Sequence, residues 1–139
     1  MKFKSSGGLP LGVNPVRNKF LIGVDLIELE KAKSFYLTHR KNLNSFLTSN
    51  EISYIQKGKK QHERLAILLA AKESVFKALG VGFMGINGFS DIQIIPKEKG
   101  NIFFRLKGKF RKAGRFPFNP RLSFFKKKGY VVVQCAGIS

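Results

Sequence analysis

Three observations predict an α+β domain. A β-branched apolar run after residue 19 reads as a strand, and apolar residues at spacings of three and four between 29 and 79 read as helices. From residue 89 onward, short alternating runs separated by turn residues read as antiparallel strands. A strand, then helices, then a set of antiparallel strands is the α+β order. At 139 residues the chain is the size of one domain, near the small end, and it has no internal repeat.

Residues 1–18, with Gly7, Gly8, Pro10, Gly12 and Pro15, form a basic, turn-rich extension of expected low order, and the folded domain is placed at 19–139. The run F-L-I-G-V-D-L-I-E-L from Phe20 reads as a buried strand. Residues 29–47 read as one basic amphipathic helix, with Leu29, Ala32, Phe35, Tyr36, Leu43, Phe46 and Leu47 apolar. Thr48-Ser49-Asn50-Glu51 is a capping box that opens a short helix to about Lys57. From Glu63, Leu65, Leu68, Leu69, Lys72, Val75, Phe76 and Leu79 mark one stripe of a helix, and Gly80 stands where a left-handed cap is wanted. Strands come next at 89–95 and 102–107, then a basic loop at 108–121. A last hairpin pairs R-L-S-F-F with G-Y-V-V-V-Q-C-A around Lys126-Lys127-Lys128.

The net charge of +18, from 26 Lys and Arg against 8 Asp and Glu, draws polyanions and acidic proteins. Nucleic acid is the default partner for such a charge. Against it, the cations are spread from Lys2 to Lys128 and no ribonucleoprotein, KH or zinc-knuckle signature is present. A basic binding protein for an acidic protein or nucleic acid is the reading that competes with an enzyme. No apolar run approaches the roughly 20 residues that span a bilayer, and the N-terminus lacks the apolar core of a secretion signal. The single cysteine, Cys135, excludes an internal disulfide, fits a reducing cytoplasm and reads as a small buried residue. His39 and His62 lack ligand spacing.

Two carboxylates are out of place. Asp25 interrupts an apolar strand, where an ionised group is costly unless paired or metal-bound; the alternative is that it ends the strand and caps the next element. Glu73 sits four residues before Lys77 on an alanine-rich helix. Together these two are either a surface ion pair or a carboxylate for a metal beside an ammonium for a phosphate.

The segments G-V-D-L-I-E-L at 23–29, F-L-T-S-N-E at 46–51, R-L-A-I-L-L-A-A-K-E-S-V-F-K-A-L-G-V-G at 64–82 and F-S-D-I-Q-I at 89–94 resemble, in this order, holo-acyl-carrier-protein synthase, the small phosphopantetheinyl transferase. The resemblance covers about residues 22–95 well and the end of the chain loosely. It implies the phosphopantetheinyl transferase fold, an antiparallel sheet packed on a long central helix and assembled as a homotrimer. The implied reaction moves the 4′-phosphopantetheine arm of coenzyme A to a serine of apo-acyl carrier protein. Asp25 and Glu73 are then the catalytic pair that holds Mg²⁺; beyond the resemblance, Glu73 acting through a metal-bound water is the expected general base. Lys77, Gly80, Gly82 and Lys126 face coenzyme A, and Lys31, Lys33 and Arg40 dock the acidic carrier protein. Phe103, Phe124 and Val132 are expected between subunits. Departures from the family pattern are Leu68 in place of an arginine, Lys126 in place of a histidine, and G-N-I at 100–102 in place of a G-K-P turn.

Overall fold

A computed structural model describes residues 20–80, 89–97, 102–108 and 121–138. The extension at 1–18, Gly82, the turn after Lys97 and most of the basic loop therefore lie outside the described residues. In chain order the elements are β1 (Phe20–Glu28), α1 (Leu29–His39), a 3₁₀ turn (Leu43–Ser45), α2 (Ser49–Gln56), α3 (Gln61–Leu79), β2 (Ile92–Pro96), β3 (Ile102–Leu106), β4 (Arg121–Lys127) and β5 (Tyr130–Ile138). The strands form an antiparallel sheet in the order β1-β5-β4-β3-β2.

The 19 residues of α3 lie against the inner face of β1 and β5. Leu65, Leu68, Val75 and Phe76 fill the core with Ile92, Ile94, Val131 and Val133 from the sheet. Leu68, where the resemblance implies an arginine, is fully buried there. Gly80 ends α3 in the left-handed region at φ 71°, and its N–H returns to Lys77 O at 3.1 Å. Thr48 caps α2 as expected: its hydroxyl accepts from Glu51 N, and Glu51 Oε1 accepts from Thr48 N. Cys135 is buried in β5, where burial pushes its thiol up to about 12.

Three expectations change, and one alternative, that Asp25 ends the strand, is excluded. The strand β1 is an edge strand, not a buried one: Phe20, Ile22, Val24 and Leu26 alternate outward and are between 45% and 59% exposed. Asp25 lies within β1 and does not end it. The helix expected at 29–47 stops at His39. Asn42 N–H bonds back to His39 O, and Leu43, Phe46 and Leu47 reach the core through the 3₁₀ turn instead of a helical stripe. The last hairpin turns on Lys128-Gly129, with φ of 42° and 83°; the primed two-residue turn requires positive φ at both, and leaves Lys126 and Lys127 in β4.

Strand alternation sorts the sheet residues. Leu26, Val132 and Phe125 form one row across β1, β5 and β4 on the outer face, and Phe103 is exposed on β3. Phe124 points the other way and packs against the core, so it does not belong with Phe103 and Val132. Among the described residues no helix is long and apolar enough to cross a membrane.

Candidate active site

The site begins at a glycine. A Cβ on Gly23 would lie 2.0 Å from Ser74 O and 2.5 Å from Ala78 N, so β1 rests on the backbone of α3 with no side chain between them. Two residues along, on the same face, Asp25 is thereby brought against the turn of α3 that carries Glu73 and Lys77. Lys77 Nζ donates to Asp25 Oδ1 at 2.9 Å and to Val24 O at 3.0 Å. Of the two readings of Glu73 and Lys77, the surface ion pair is not the one made: Lys77 pairs with Asp25.

Asp25 and Glu73 line a pocket of about 280 Å³ whose other walls are Ile27, Phe35, Phe46, Leu69 and Phe89. Glu73 is held above the usual carboxylate range, first by burial and then by the charge of Asp25; Lys77 opposes both. A part-buried carboxylate beside a second one, with an ammonium already drawn to that second one, is a place that wants a cation. Among the described residues no cluster of three or more His, Cys, Asp or Glu forms. Mg²⁺ needs fewer, because it commonly takes one or two carboxylates and completes its shell with waters and substrate phosphates. The donor set fits.

A raised acid in the folded chain means that the native state binds the proton more tightly than the unfolded one. Stability is therefore lost as pH rises through the window that starts at the ordinary glutamate value and ends at the folded one. In chelator at pH 7, Glu73→Gln should melt above the wild type, and the gain should fade as the pH is lowered below about 4, the ordinary glutamate range. A thermal melt across pH reads this; no gain at pH 7 would contradict the shift.

The remaining expected residues are dispersed. Lys31 stands one turn before Phe35, which lines the pocket. Lys33 is roughly 200° round the helix from Lys31 at 3.6 residues per turn, so the docking set does not share one face. Arg40 caps α1 at its C-terminal end, and all three are exposed. Lys126 pairs with Glu63 at 3.1 Å, ten residues or about 15 Å along α3 from Glu73. Gly80 closes α3 just after Lys77. The histidines pack on rings, His39 against Phe35 and Phe46 and His62 against Tyr36.

Sequence reasoning missed one feature beside this site. Lys72, on the apolar stripe, is fully buried and its Nζ lies 2.8 Å from Glu51 Oε1, also fully buried. The signal was there: a lysine on a buried stripe demands an anion, and the capping-box glutamate was the one on offer.

Comparison with known proteins gives the family. The family model described as 4′-phosphopantetheinyl transferase superfamily matches residues 21–133. The holo-(acyl-carrier-protein) synthase of Clostridium tetani is 37% identical over 87 residues, 63% of this chain and 68% of the relative. That of Clostridium botulinum is 36% identical over 91 residues, 66% and 73% respectively. A holo-(acyl-carrier-protein) synthase of Bacillus anthracis, solved in complex with coenzyme A (3′,5′-ADP), superposes with a TM-score of 0.67 at 27% identity, over 86% of this chain and 96% of its own. The enzyme of Neisseria meningitidis shares the fold, with a TM-score of 0.72 at 24% identity over 84% and 95%. This chain belongs to the 4′-phosphopantetheinyl transferase superfamily.

Proposed function

We propose that this chain is a Mg²⁺-dependent holo-acyl-carrier-protein synthase acting in fatty-acid biosynthesis in the cytoplasm. It moves the 4′-phosphopantetheine arm of coenzyme A to a serine of apo-acyl carrier protein and releases adenosine 3′,5′-bisphosphate. The observation that carries this reading is the meeting of Asp25 and Glu73, beside Lys77, at an apolar pocket, in a chain whose relatives are named for that reaction.

In the reaction a serine oxygen bonds to the phosphorus bearing the arm, the bond from that phosphorus to the departing nucleotide breaks, and the serine proton leaves to a base. Asp25 and Glu73 would hold Mg²⁺, which when bound neutralises charge on the pyrophosphate. Glu73, on the pocket wall, is the carboxylate placed to take the serine proton by way of a water. Lys77 offers its ammonium to a phosphate oxygen, and Gly80 with Gly82 lets the backbone come close to the nucleotide. The apolar walls at Phe35, Phe46 and Phe89 exclude water from the reacting centre.

Two features favour a homotrimer. The exposed apolar row on β1, β5 and β4 is of the kind that marks an interface. Lys126 is held by Glu63, about 15 Å along α3 from Glu73, and in a trimer it would meet the coenzyme A of a neighbouring subunit. Lys31, one turn from the pocket wall, and the cations on the other face of α1 attract the acidic carrier protein. Lys31→Glu should raise KM for the carrier protein about tenfold at low salt, equivalent to about 1.4 kcal/mol, with kcat and KM for coenzyme A little changed. Steady-state kinetics at two salt concentrations read it; an unchanged KM would remove Lys31 from the docking set.

The reading is tested by mass spectrometry of an apo-acyl carrier protein incubated with this protein, coenzyme A and Mg²⁺. The carrier protein should gain the mass of the phosphopantetheine arm on its serine. No gain with several carrier proteins, from protein that still binds coenzyme A, would sink the reading.

A further inference from the structure

The fully buried pair Glu51–Lys72 sits next to Glu73 and has no place in the transfer chemistry. Its bonds are complete. Lys72 Nζ donates to Glu51 Oε1 at 2.8 Å, to Phe89 O at 2.7 Å and to Phe46 O at 3.3 Å, one acceptor for each ammonium hydrogen. Glu51 Oε1 also accepts from Thr48 N at 2.8 Å, and Oε2 accepts from Ile94 N at 2.7 Å. The two side chains thus tie α3 to the 3₁₀ turn, to the start of α2, to the segment before β2 and to β2 itself. The carbonyls that Lys72 holds belong to Phe46 and Phe89, two walls of the pocket that Glu73 also lines.

We infer that Glu51 and Lys72 form a positioning pair for the transfer reaction, fixing the Phe46 and Phe89 walls relative to Glu73; this rests on the proposed synthase function. Stability alone is a poor reason for such a pair. Burying two charges costs several kcal/mol, and an apolar replacement of similar volume is often neutral or stabilising. What an apolar pair cannot do is hold two carbonyls and a strand N–H at fixed points. Lys72 and Glu51 touch neither substrate nor metal in this scheme; they act through the walls and through the helix that carries Glu73.

The test compares wild type with Glu51→Gln/Lys72→Met, which removes both charges at once and leaves no unpaired ion behind. A second variant, Glu51→Asp, keeps the charge and withdraws the carboxylate by one methylene. Two readouts are taken well below each melting temperature. The first is amide hydrogen exchange, which needs no activity: peptides covering 43–49 and 89–94 should exchange at least about tenfold faster in both variants while β5 is unchanged, as expected when a local unit opens without the globule. The second is transfer kinetics with coenzyme A, Mg²⁺ and apo-carrier protein. Here kcat should fall about tenfold to 10²-fold with KM for coenzyme A within about twofold, the scale of a 1 Å misplacement. Uniform exchange across the chain, or wild-type kcat in either folded variant, would overturn the inference. If the wild type itself shows no transfer, the proposed function fails, and the exchange pattern alone decides whether the pair positions these walls.

Discussion

Asp25→Asn and Glu73→Gln should each lower transfer by about 10³-fold while leaving the fold intact, because several kcal/mol of charge stabilisation, about 4, correspond to that factor. The two substitutions keep volume and shape and remove only charge. Asp25 is 18% exposed at the side chain, and its ion-pair partner, Lys77, is half in solvent, so losing the charge leaves Lys77 in water and not buried. For Glu73 the folded chain gains from neutralisation, since burial and Asp25 both work against the ionised form. In chelator, an inactive variant that is at least as stable as the wild type is therefore expected at Glu73, and an inactive one destabilised under the same conditions would point to collapse of the site. The measurement is the mass-spectrometric transfer assay run beside thermal melts, with Mg²⁺ varied over a wide range. If Asp25→Asn retains wild-type turnover at every Mg²⁺ concentration, the carboxylate pair does not hold the metal. A basic binding protein on the same fold would instead keep its affinity for acidic partners in both variants and show no turnover in either form.

The stripe that ran from Leu65 to Leu79 gave α3 and its cap because every signal agreed: period, alanine content and Gly80. The capping box at Thr48 was equally plain, since the reciprocal bonds are local and need nothing from the rest of the chain. Local reasoning failed where tertiary contacts decide. Leu43, Phe46 and Leu47 are buried with nearly helical spacing, yet the chain leaves the helix at His39 and buries them through a 3₁₀ turn. The run from Phe20 to Glu28 is apolar on both faces, which reads as a central strand; its outward face is bare in the single chain and calls for a cover the sequence does not name. At the site, the suspicion attached to Asp25 and Glu73 rested on charge in apolar company, which sequence shows. That Lys77 would answer Asp25, and that Glu51 would answer Lys72, depended on residues more than 20 positions apart being brought together. Sequence spacing cannot supply those distances.

The same dependence makes Gly23 the position where a single methyl group should do most damage to the fold. In Gly23→Ala the new carbon meets Ser74 O and Ala78 N at 2.0 and 2.5 Å, and the Lys77 Cβ at 2.9 Å. Neither backbone atom can rotate away, so either β1 lifts from α3 or α3 bends. Overpacking of a core ordinarily costs about 1–3 kcal/mol, and contact with backbone rather than side chain places this case at or above the upper end. For a chain of this size about 3 kcal/mol is a drop of roughly 10 °C in melting temperature. Ser53→Ala, at an exposed position on α2 away from the site and from the apolar face of β1, is the control and should melt within a few degrees of the wild type, as surface substitutions away from special features do. The register sets the functional consequence. Asp25 is carried by the strand that must move, so Gly23→Ala should lose transfer activity even at temperatures where it remains folded. Alanine at 23 with wild-type melting and wild-type turnover would mean that β1 does not rest on the helix backbone, and the placement of Asp25 against Glu73 would have to be given up with it.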